Sequence, residues 1–469
     1  MFDRCEKSTR RLLLGWLGLA VFSLLFAGLF AILIVLARTP GVEGLLAVGR
    51  DYVYVGLVGH VVLAFVIWFL AFEGFLWVYT TTAFIGHAEA SAGLGFASLA
   101  LSALGVGLVV VSAAGGLGAP VLANYVPVLM TPWFYAGLAL FAAGIVGTIA
   151  NSFATAWKAR RAGAVLPAPA FGMMVAGVAV LTAFVCFALV GWFQWRAGGA
   201  IDFERLNWGG GHVLQFANTV AVVSVWLYLS EKAFGPGGVL VGGRTARALF
   251  LVYLAFIIPA PFIYIFGDPS AQSHLDAFTW LMRWGHGPST GLFILAGLYA
   301  IIRRGEFPWK DPVFSSLLLS MIIYVVGGLI AMDIRGVNTK IPAHYHSVIV
   351  AITIAFMAVF YLVMPLVGRR VWSGRMASVQ PYLYSFGIVL FVAGLYVAGS
   401  YGMERKAMAG AQNLDTFWKT FGMALMGFGG LVAISGGVTF VWNALMSLFS
   451  TSARRRPSGG HLPLTGGAR

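Results

Sequence analysis

The chain has 469 residues, of which 60% are hydrophobic and only 10% are charged, and its mean hydropathy is +0.88. These values exclude a soluble globular domain of this length and indicate a polytopic membrane protein in a lipid bilayer. In a membrane protein, an excess of lysine and arginine in the cytoplasmic loops sets the orientation, and we attribute the formal net charge of +14 to this excess. We therefore expect no nucleic-acid partner.

Apolar runs long enough to cross a hydrocarbon core of about 30 Å recur along the chain. Twelve membrane-spanning segments are predicted, at about 12–37, 52–80, 91–113, 132–157, 169–195, 211–233, 246–266, 276–302, 313–333, 343–367, 382–400 and 417–448. The first is too long for the apolar core of a signal peptide, so we expect it to remain in the protein. We predict an all-α fold in which residues 1–450 form one transmembrane domain, followed by a disordered cytoplasmic tail over 451–469.

The basic residues predict the orientation. With the N-terminus inside, the inner segments hold 20 of the 30 lysines and arginines. The positive-inside rule then predicts that both termini are cytoplasmic, in an inner membrane of the prokaryotic type. The chain has two cysteines, Cys5 and Cys186, and no CxxCH motif. It therefore has neither a disulfide framework nor a c-type haem attachment site.

Histidines form the clearest candidate site. Five of the eight lie within about the first three turns of predicted segments that all enter from the outer face: His60, His212, His286, His344 and His346. At a rise of about 1.5 Å per residue they would share one layer. A single histidine there could simply bond locally, but five ionisable side chains at one depth favour a shared ligand.

His344 and His346 stand two residues apart in NTKIPAHYH. On an α-helix this spacing points them about 200° apart, so they face two different neighbours. A helix between two flat cofactors could offer one axial imidazole to each side, and imidazole is a common axial ligand of haem iron. His60 could supply the opposite axial ligand of one haem.

This pattern resembles the catalytic subunit of the haem–copper oxidase superfamily, which includes cytochrome oxidase subunit I and the nitric oxide reductase large subunit. NTKIPAHYH is similar to the NTxxxPxHFH of some oxidases, and GMERK is similar to the GxPRR whose basic pair holds haem propionates. NWGGGHVLQF resembles the W-G-H-P-x-V-Y segment of the active-site helix. The resemblance covers nearly the whole chain.

The resemblance implies two haems, of types that the sequence does not specify. His60 and His346 would be the axial ligands of a six-coordinate low-spin haem. His344 would be the axial ligand of a high-spin haem. Arg405 and Lys406 would neutralise haem propionates.

The chain departs from the family at the copper site. The family's oxidases hold copper with one histidine of the sixth segment and two adjacent histidines at the end of the seventh. Here His212 is present, but IIPAPFIYIFGDPS places Ile263 and Tyr264 where the pair would stand. The tyrosine expected four residues after His212 is Phe216, and nitric oxide reductases, which use non-haem iron, also lack that tyrosine. Copper is therefore doubtful, and non-haem iron or another metal is the alternative.

Candidate partners for a second metal at His212 are Tyr264 as a phenolate, Asp268 as a carboxylate and His286 as an imidazole. Gln215 could reach the same cavity. The catalytic candidates are His212, Gln215 and Tyr264.

The predicted function is that of a respiratory reductase acting on nitric oxide, or less favourably on oxygen, at the high-spin haem beside a modified second-metal site. One alternative is a two-haem electron-transfer subunit that has lost the binuclear centre. A cofactor-free transporter is a remote alternative, because no inverted repeat is apparent. Without CxxCH or a copper-binding domain, electrons would come from a cytochrome c subunit, a cupredoxin-type subunit or quinol.

Overall fold

The computed structural model describes residues 6–42, 49–235, 237–238, 240–408 and 411–450. The predicted tail over 451–469 lies outside the described residues. The helices are α1 (Lys7–Arg38), α2 (Arg50–Val61), α3 (Trp68–Thr81), α4 (Ala92–Ala114), α5 (Pro132–Arg161), α6 (Ala168–Ala197), α7 (Phe203–Phe234), α8 (Gly243–Ile257), α9 (Phe262–Phe266), α10 (Gln272–Arg304), α11 (Pro312–Met332), α12 (Lys340–Val363), α13 (Gly374–Ser400) and α14 (Phe417–Phe449). Strands β1 (Pro120–Val121) and β2 (Val128–Leu129) form an antiparallel hairpin.

Within the described ranges, twelve spans are long and apolar enough to cross a membrane. A π-helical segment, Val62–Ile67, joins α2 to α3 in one span. Another span, Gly243–Phe266, contains α8 and α9. The predicted all-α fold with twelve transmembrane helices is confirmed.

Several helices begin before their apolar runs. The apolar run of the sixth span predicts a start near residue 211, but α7 begins at Phe203. The Asp202 carboxylate caps this helix by accepting the N–H of Arg205 at 3.0 Å. Such polar first turns are invisible to a hydropathy window, because capping residues are themselves hydrophilic.

Three spans occupy the centre of the bundle. In its most apolar stretch, 94% of α7 is buried against the rest of the protein, compared with 78% for α12, 72% for the α2–α3 span and 28% for the α8–α9 span. The central spans carry His60, His212, His344 and His346. In a bilayer an apolar helix surface can face lipid, whereas ionisable side chains are placed in the bundle interior, so the spans that carry these histidines are the central ones.

Two loops close the end of the bundle at which these histidines lie, called here the histidine end. The loop after α13 is fastened to the start of α12, where the Thr339 N–H donates to the Met403 carbonyl at 2.9 Å. The ammonium of Lys406, in the same loop, donates to the Leu122 carbonyl of the β1–β2 hairpin. The hairpin and the 401–408 loop are thereby fastened together over the histidines.

Candidate haem and ligand-binding site

His60 and His346 present the same ring nitrogen. The Nδ1 of His60 lies 2.9 Å from the Ala27 carbonyl of α1, and the Nδ1 of His346 lies 2.8 Å from the Pro342 carbonyl one turn earlier. A carbonyl can only accept, so each Nδ1 carries the proton and each Nε2 keeps a lone pair. Among the described residues, neither Nε2 has a hydrogen-bond partner. Both side chains are therefore prepared to ligate iron, and they lie near each other.

His344 is set up in the same way toward another helix. Its Nδ1 lies 2.8 Å from the Gly327 carbonyl of α11, and the hydroxyl of Ser347 donates to the Ile323 carbonyl at 2.7 Å one turn along. A Cβ at position 327 would lie 2.7 Å from Val348 Cγ2, so glycine is needed for this approach. His346 packs instead on Phe391 of α13, with ring centroids 4.9 Å apart. The two histidines of HYH thus contact different neighbouring helices.

Two guanidinium groups lie beside these histidines. Arg38 is only 8% exposed, and its Nε and Nη2 have no partner among the described residues. It is close enough to His346 and Tyr345 for their charges to interact, and Arg405 is similarly close to Tyr345. A buried cation without a partner is unfavourable unless an anion or another acceptor neutralises it. Haem carries two carboxylates, so the donor set fits two haems, with open imidazoles as ligands and arginines for the acidic groups.

Lys406 is placed differently from Arg405. Its ammonium is bonded to the Leu122 carbonyl. Burial, and after it the charge of Arg405, lowers the pKa of Lys406. The propionate role expected for Lys406 stays a prediction. Arg38 was not anticipated, because an arginine at the end of a span is ordinarily interpreted as an interfacial anchor.

His212 differs from the three open histidines because both of its ring nitrogens are bonded. Nδ1 lies 2.7 Å from the Trp208 carbonyl, so the Nε2 lone pair must accept the hydrogen bond at 2.9 Å from the Tyr125 hydroxyl. The side chain of Gln215 also lies close to Tyr125. The nitrogen that would bind a second metal is occupied by a phenol.

Tyr125 lies in the loop of the β1–β2 hairpin, in a left-handed backbone conformation with φ of 64°. A residue other than glycine adopts this conformation only when its surroundings hold it there. Three side chains from outside the hairpin fix the loop: Glu204 accepts from Asn124, Asn207 donates to the Val126 carbonyl, and Lys406 donates to the Leu122 carbonyl. No local sequence pattern marks Tyr125, because all of these partners are distant in sequence.

The glycines before His212 make room for aromatic rings. A Cβ at Gly211 would lie 2.6 Å from the Tyr125 ring, and one at Gly209 would collide with the Tyr264 hydroxyl. The run NWGGGH therefore allows Tyr125 to pack against α7 beside the imidazole.

His286, on α10, lies next to the face of α7 that carries His212. Its ring packs on Phe216 with centroids 4.0 Å apart, and its Nδ1 lies 3.0 Å from the Thr219 hydroxyl. Phe216 and Thr219 follow His212 by four and seven residues and therefore share its helix face. His286 lies near both His212 and His344. Its buried Nε2 has no partner in the described part of the chain.

The other metal candidates lie apart from His212. Tyr264 packs on Phe278 and His274, with centroids 5.2 and 4.6 Å apart, and Phe278 in turn packs on His212 at 6.4 Å. Asp268 is exposed and accepts from the Ser270 hydroxyl at 2.7 Å. Across the described ranges, no three residues of His, Cys, Asp or Glu are grouped as a metal site.

Comparisons with known proteins agree with this geometry. Residues 11–432 match the family described as cytochrome C and quinol oxidase polypeptide I. The chain belongs to this family. It is therefore a subunit I-type member of the haem–copper oxidase superfamily, whose members typically bind haems and take electrons from cytochrome c or quinol.

Individual relatives differ in what is known of them. An uncharacterised protein of Aquifex aeolicus is 29% identical over 78% of this chain and 88% of its own length, and one of Rickettsia prowazekii is 26% identical over 93% and 95%. Cytochrome c oxidase subunit 1 of Thermus thermophilus is 26% identical over 74% and 67%. A haem–copper terminal oxidase dimer solved by cryo-electron microscopy shares the fold, with a TM-score of 0.77, 17% identity, and coverage of 96% of this chain and 86% of its own.

Proposed function

We propose that this chain is a two-haem membrane protein of the respiratory reductase type, with a low-spin haem between His60 and His346 and a high-spin haem on His344. The proposal rests on the hydrogen bonding of these three imidazoles. In each, a backbone carbonyl holds Nδ1, and Nε2 has no partner among the described residues. The haems supply the redox chemistry when bound. Arg38 and Arg405 balance their acidic groups.

Nitric oxide is the substrate that we propose for the high-spin haem. Two molecules of nitric oxide, two protons and two electrons give one N₂O and one water. Reduction of oxygen to water needs four electrons, and family oxidases use copper and an active-site tyrosine for it. Here Phe216 replaces that tyrosine, and Tyr125 bonds the His212 nitrogen that copper would need.

A second candidate is an electron-transfer subunit that has lost the binuclear centre. The Tyr125–His212 hydrogen bond favours it, because metal binding at His212 would require the phenol to move. Such a subunit would contain both haems but would consume no nitric oxide.

The electron donor is proposed to be quinol or a subunit of the cytochrome c or cupredoxin type. We also propose that both termini are cytoplasmic, because the basic residues concentrate at the end of the bundle opposite the histidines. Reporter fusions after Ser450 and within residues 401–408 should report opposite compartments. Reversed compartments would contradict this orientation.

The deciding experiment is haem and metal analysis of the purified protein, combined with anaerobic nitric oxide consumption under a chemical reductant. We expect two haems per chain, a carbon monoxide difference spectrum from one of them, and N₂O production that is lost in His344→Ala. Two haems without nitric oxide consumption would favour the electron-transfer subunit. A protein that binds no haem after reconstitution would refute both candidates.

A further inference from the structure

A row of polar side chains ends at His286. The Tyr253 hydroxyl lies 2.8 Å from the Thr290 hydroxyl, and Thr290 also lies close to Tyr324. The Tyr324 hydroxyl lies 3.3 Å from the Thr219 hydroxyl, which lies 3.0 Å from His286 Nδ1. Four helices (α7, α8, α10 and α11) contribute to this row in the interior of the bundle.

The protons of this row can point in one of two directions. If each hydroxyl donates toward His286, every hydroxyl proton has an acceptor, Nδ1 accepts from Thr219, and Nε2 carries a hydrogen. In the reverse direction Nδ1 carries the hydrogen, and the proton of Tyr253 is left without an acceptor among the described residues. Tyr253 is fully buried, and a buried donor without an acceptor is destabilising. The first direction also leaves one buried donor, the Nε2–H of His286, so an acceptor bound at that N–H makes the first direction the favoured one.

The neighbours of His286 place this N–H beside the high-spin haem site. Its ring packs on the α7 face that carries His212. On α11, Tyr324 stands one turn before Gly327, whose carbonyl holds His344. His286 is thus bonded to α7, the helix of His212, and through Thr219 is linked to Tyr324 of α11; it lies near both His212 and His344.

We propose that His286 Nε2–H donates a hydrogen bond to a small polar ligand bound at the haem of His344. The ligand class is a diatomic or anionic molecule with an accepting oxygen or nitrogen, such as nitric oxide or cyanide. In this site an imidazole N–H assists the bound ligand without coordinating a second metal. The inference rests on the proposed function, because it requires a haem on His344.

The hydroxyl row gives Thr219 a positioning role. By donating to Nδ1, Thr219 fixes the tautomer in which Nε2 is the donor. Without that hydroxyl the imidazole can exchange tautomers, and a fraction of the molecules would present a lone pair to the ligand.

The test uses the whole protein loaded with haem and bound to carbon monoxide. His286→Leu removes the donor, whereas His286→Gln keeps an amide N–H that can replace it in part. Thr219→Val removes the positioning hydroxyl. Thr148→Val is the matched control, because Thr148 is equally buried in α5 and its hydroxyl donates to the Gly144 carbonyl of its own helix at 3.0 Å.

In wild type we expect one C–O stretching band. A donor to the ligand oxygen weakens the C–O bond, so His286→Leu should shift the band to higher frequency and speed cyanide dissociation about tenfold, the effect of one neutral hydrogen bond. His286→Gln should recover part of the shift, Thr219→Val should give two bands, and Thr148→Val should match wild type.

An unchanged band and dissociation rate in His286→Leu, with the low-spin spectrum intact, would overturn the inference and leave the proposed function standing. Loss of a stoichiometric metal in that variant, with no shift of the band, would overturn it in favour of metal ligation. A wild-type protein that binds no carbon monoxide would instead refute the high-spin haem itself.

Discussion

The His60–His346 region and the His212–His286 region use the same amino acid with different neighbours. In the first, a backbone carbonyl holds each Nδ1 and leaves each Nε2 open. In the second, Tyr125 donates to the Nε2 of His212, and the Thr219 hydroxyl bonds the Nδ1 of His286. The group on the second ring nitrogen decides whether an imidazole can ligate a metal or acts as a hydrogen-bond partner. Under the proposed function, the first region would ligate haem and the second would contact the ligand bound there.

Removing a ligand from the first region should have the largest effect. His60→Ala is expected to abolish the low-spin haem spectrum, because a six-coordinate haem cannot form with one axial imidazole. The carbon monoxide-binding haem on His344 should remain. Reduced-minus-oxidised spectra and haem extraction measure both. The control is His87→Ala, since His87 lies in the loop between α3 and α4 and its imidazole lies 3.3 Å from the neighbouring Ala88 carbonyl. A low-spin spectrum retained in His60→Ala would contradict the assignment.

The metal content tests the second region. We expect substoichiometric copper in wild type, because His212 alone is an incomplete ligand set and its Nε2 is already bonded. Tyr125→Phe should lower the free energy of unfolding by about 1 kcal/mol, since it leaves a buried acceptor unpaired. Elemental analysis and thermal unfolding in detergent check these two points. One copper per chain, with oxygen consumption abolished by His212→Ala, would place the protein among ordinary oxidases.

A change at Arg38 is expected to affect the haem of the first region and leave the second region unchanged. Arg38→Leu removes a positive charge beside His346, which should lower the midpoint potential of the low-spin haem by about 60 mV, a tenfold change for a one-electron couple. The carbon monoxide spectrum should not change. Spectroelectrochemical titration measures the potential. Equal shifts of both haems would show that Arg38 does not distinguish the regions.

A smaller effect is expected far from both regions, at Glu89 in the loop after α3. Burial, and less strongly Glu6, raises the pKa of Glu89, although Thr9 opposes the shift. A carboxyl with a raised pKa contributes stability below its unfolded value near 4.5 and loses it as the pH rises through the folded value. Glu89→Gln should therefore stabilise the protein at neutral pH by less than about 1 kcal/mol, after screening, and not at acidic pH. Melting curves across pH test this, and any change in the haem spectra would be unexpected.

Hydropathy could predict the spans, because each must bury its backbone polar groups in a long apolar helix. The same runs placed His60, His212, His344 and His346 within membrane-spanning helices, as the structure has them. Three features could not be predicted in this way: the phenol on His212, the hydroxyl on His286 and the buried Arg38. Each depends on contacts between elements distant in sequence. Tyr125, for example, lies 87 residues from His212 in the chain.

The π-helical segment Val62–Ile67 changes the phase of the helix that carries His60, which matters when this protein is aligned with its relatives. An α-helix repeats about every 3.6 residues, whereas a π turn contains roughly one residue more, so the faces before and after the segment are out of phase by about 100°. His60 precedes the segment, and Trp68, whose indole N–H donates to Thr353 at 3.2 Å, follows it. Insertion or deletion of one residue in this segment would rotate His60 relative to α3, while α3 itself would stay packed. Alignments of relatives across this span should therefore allow a single-residue gap between the two positions.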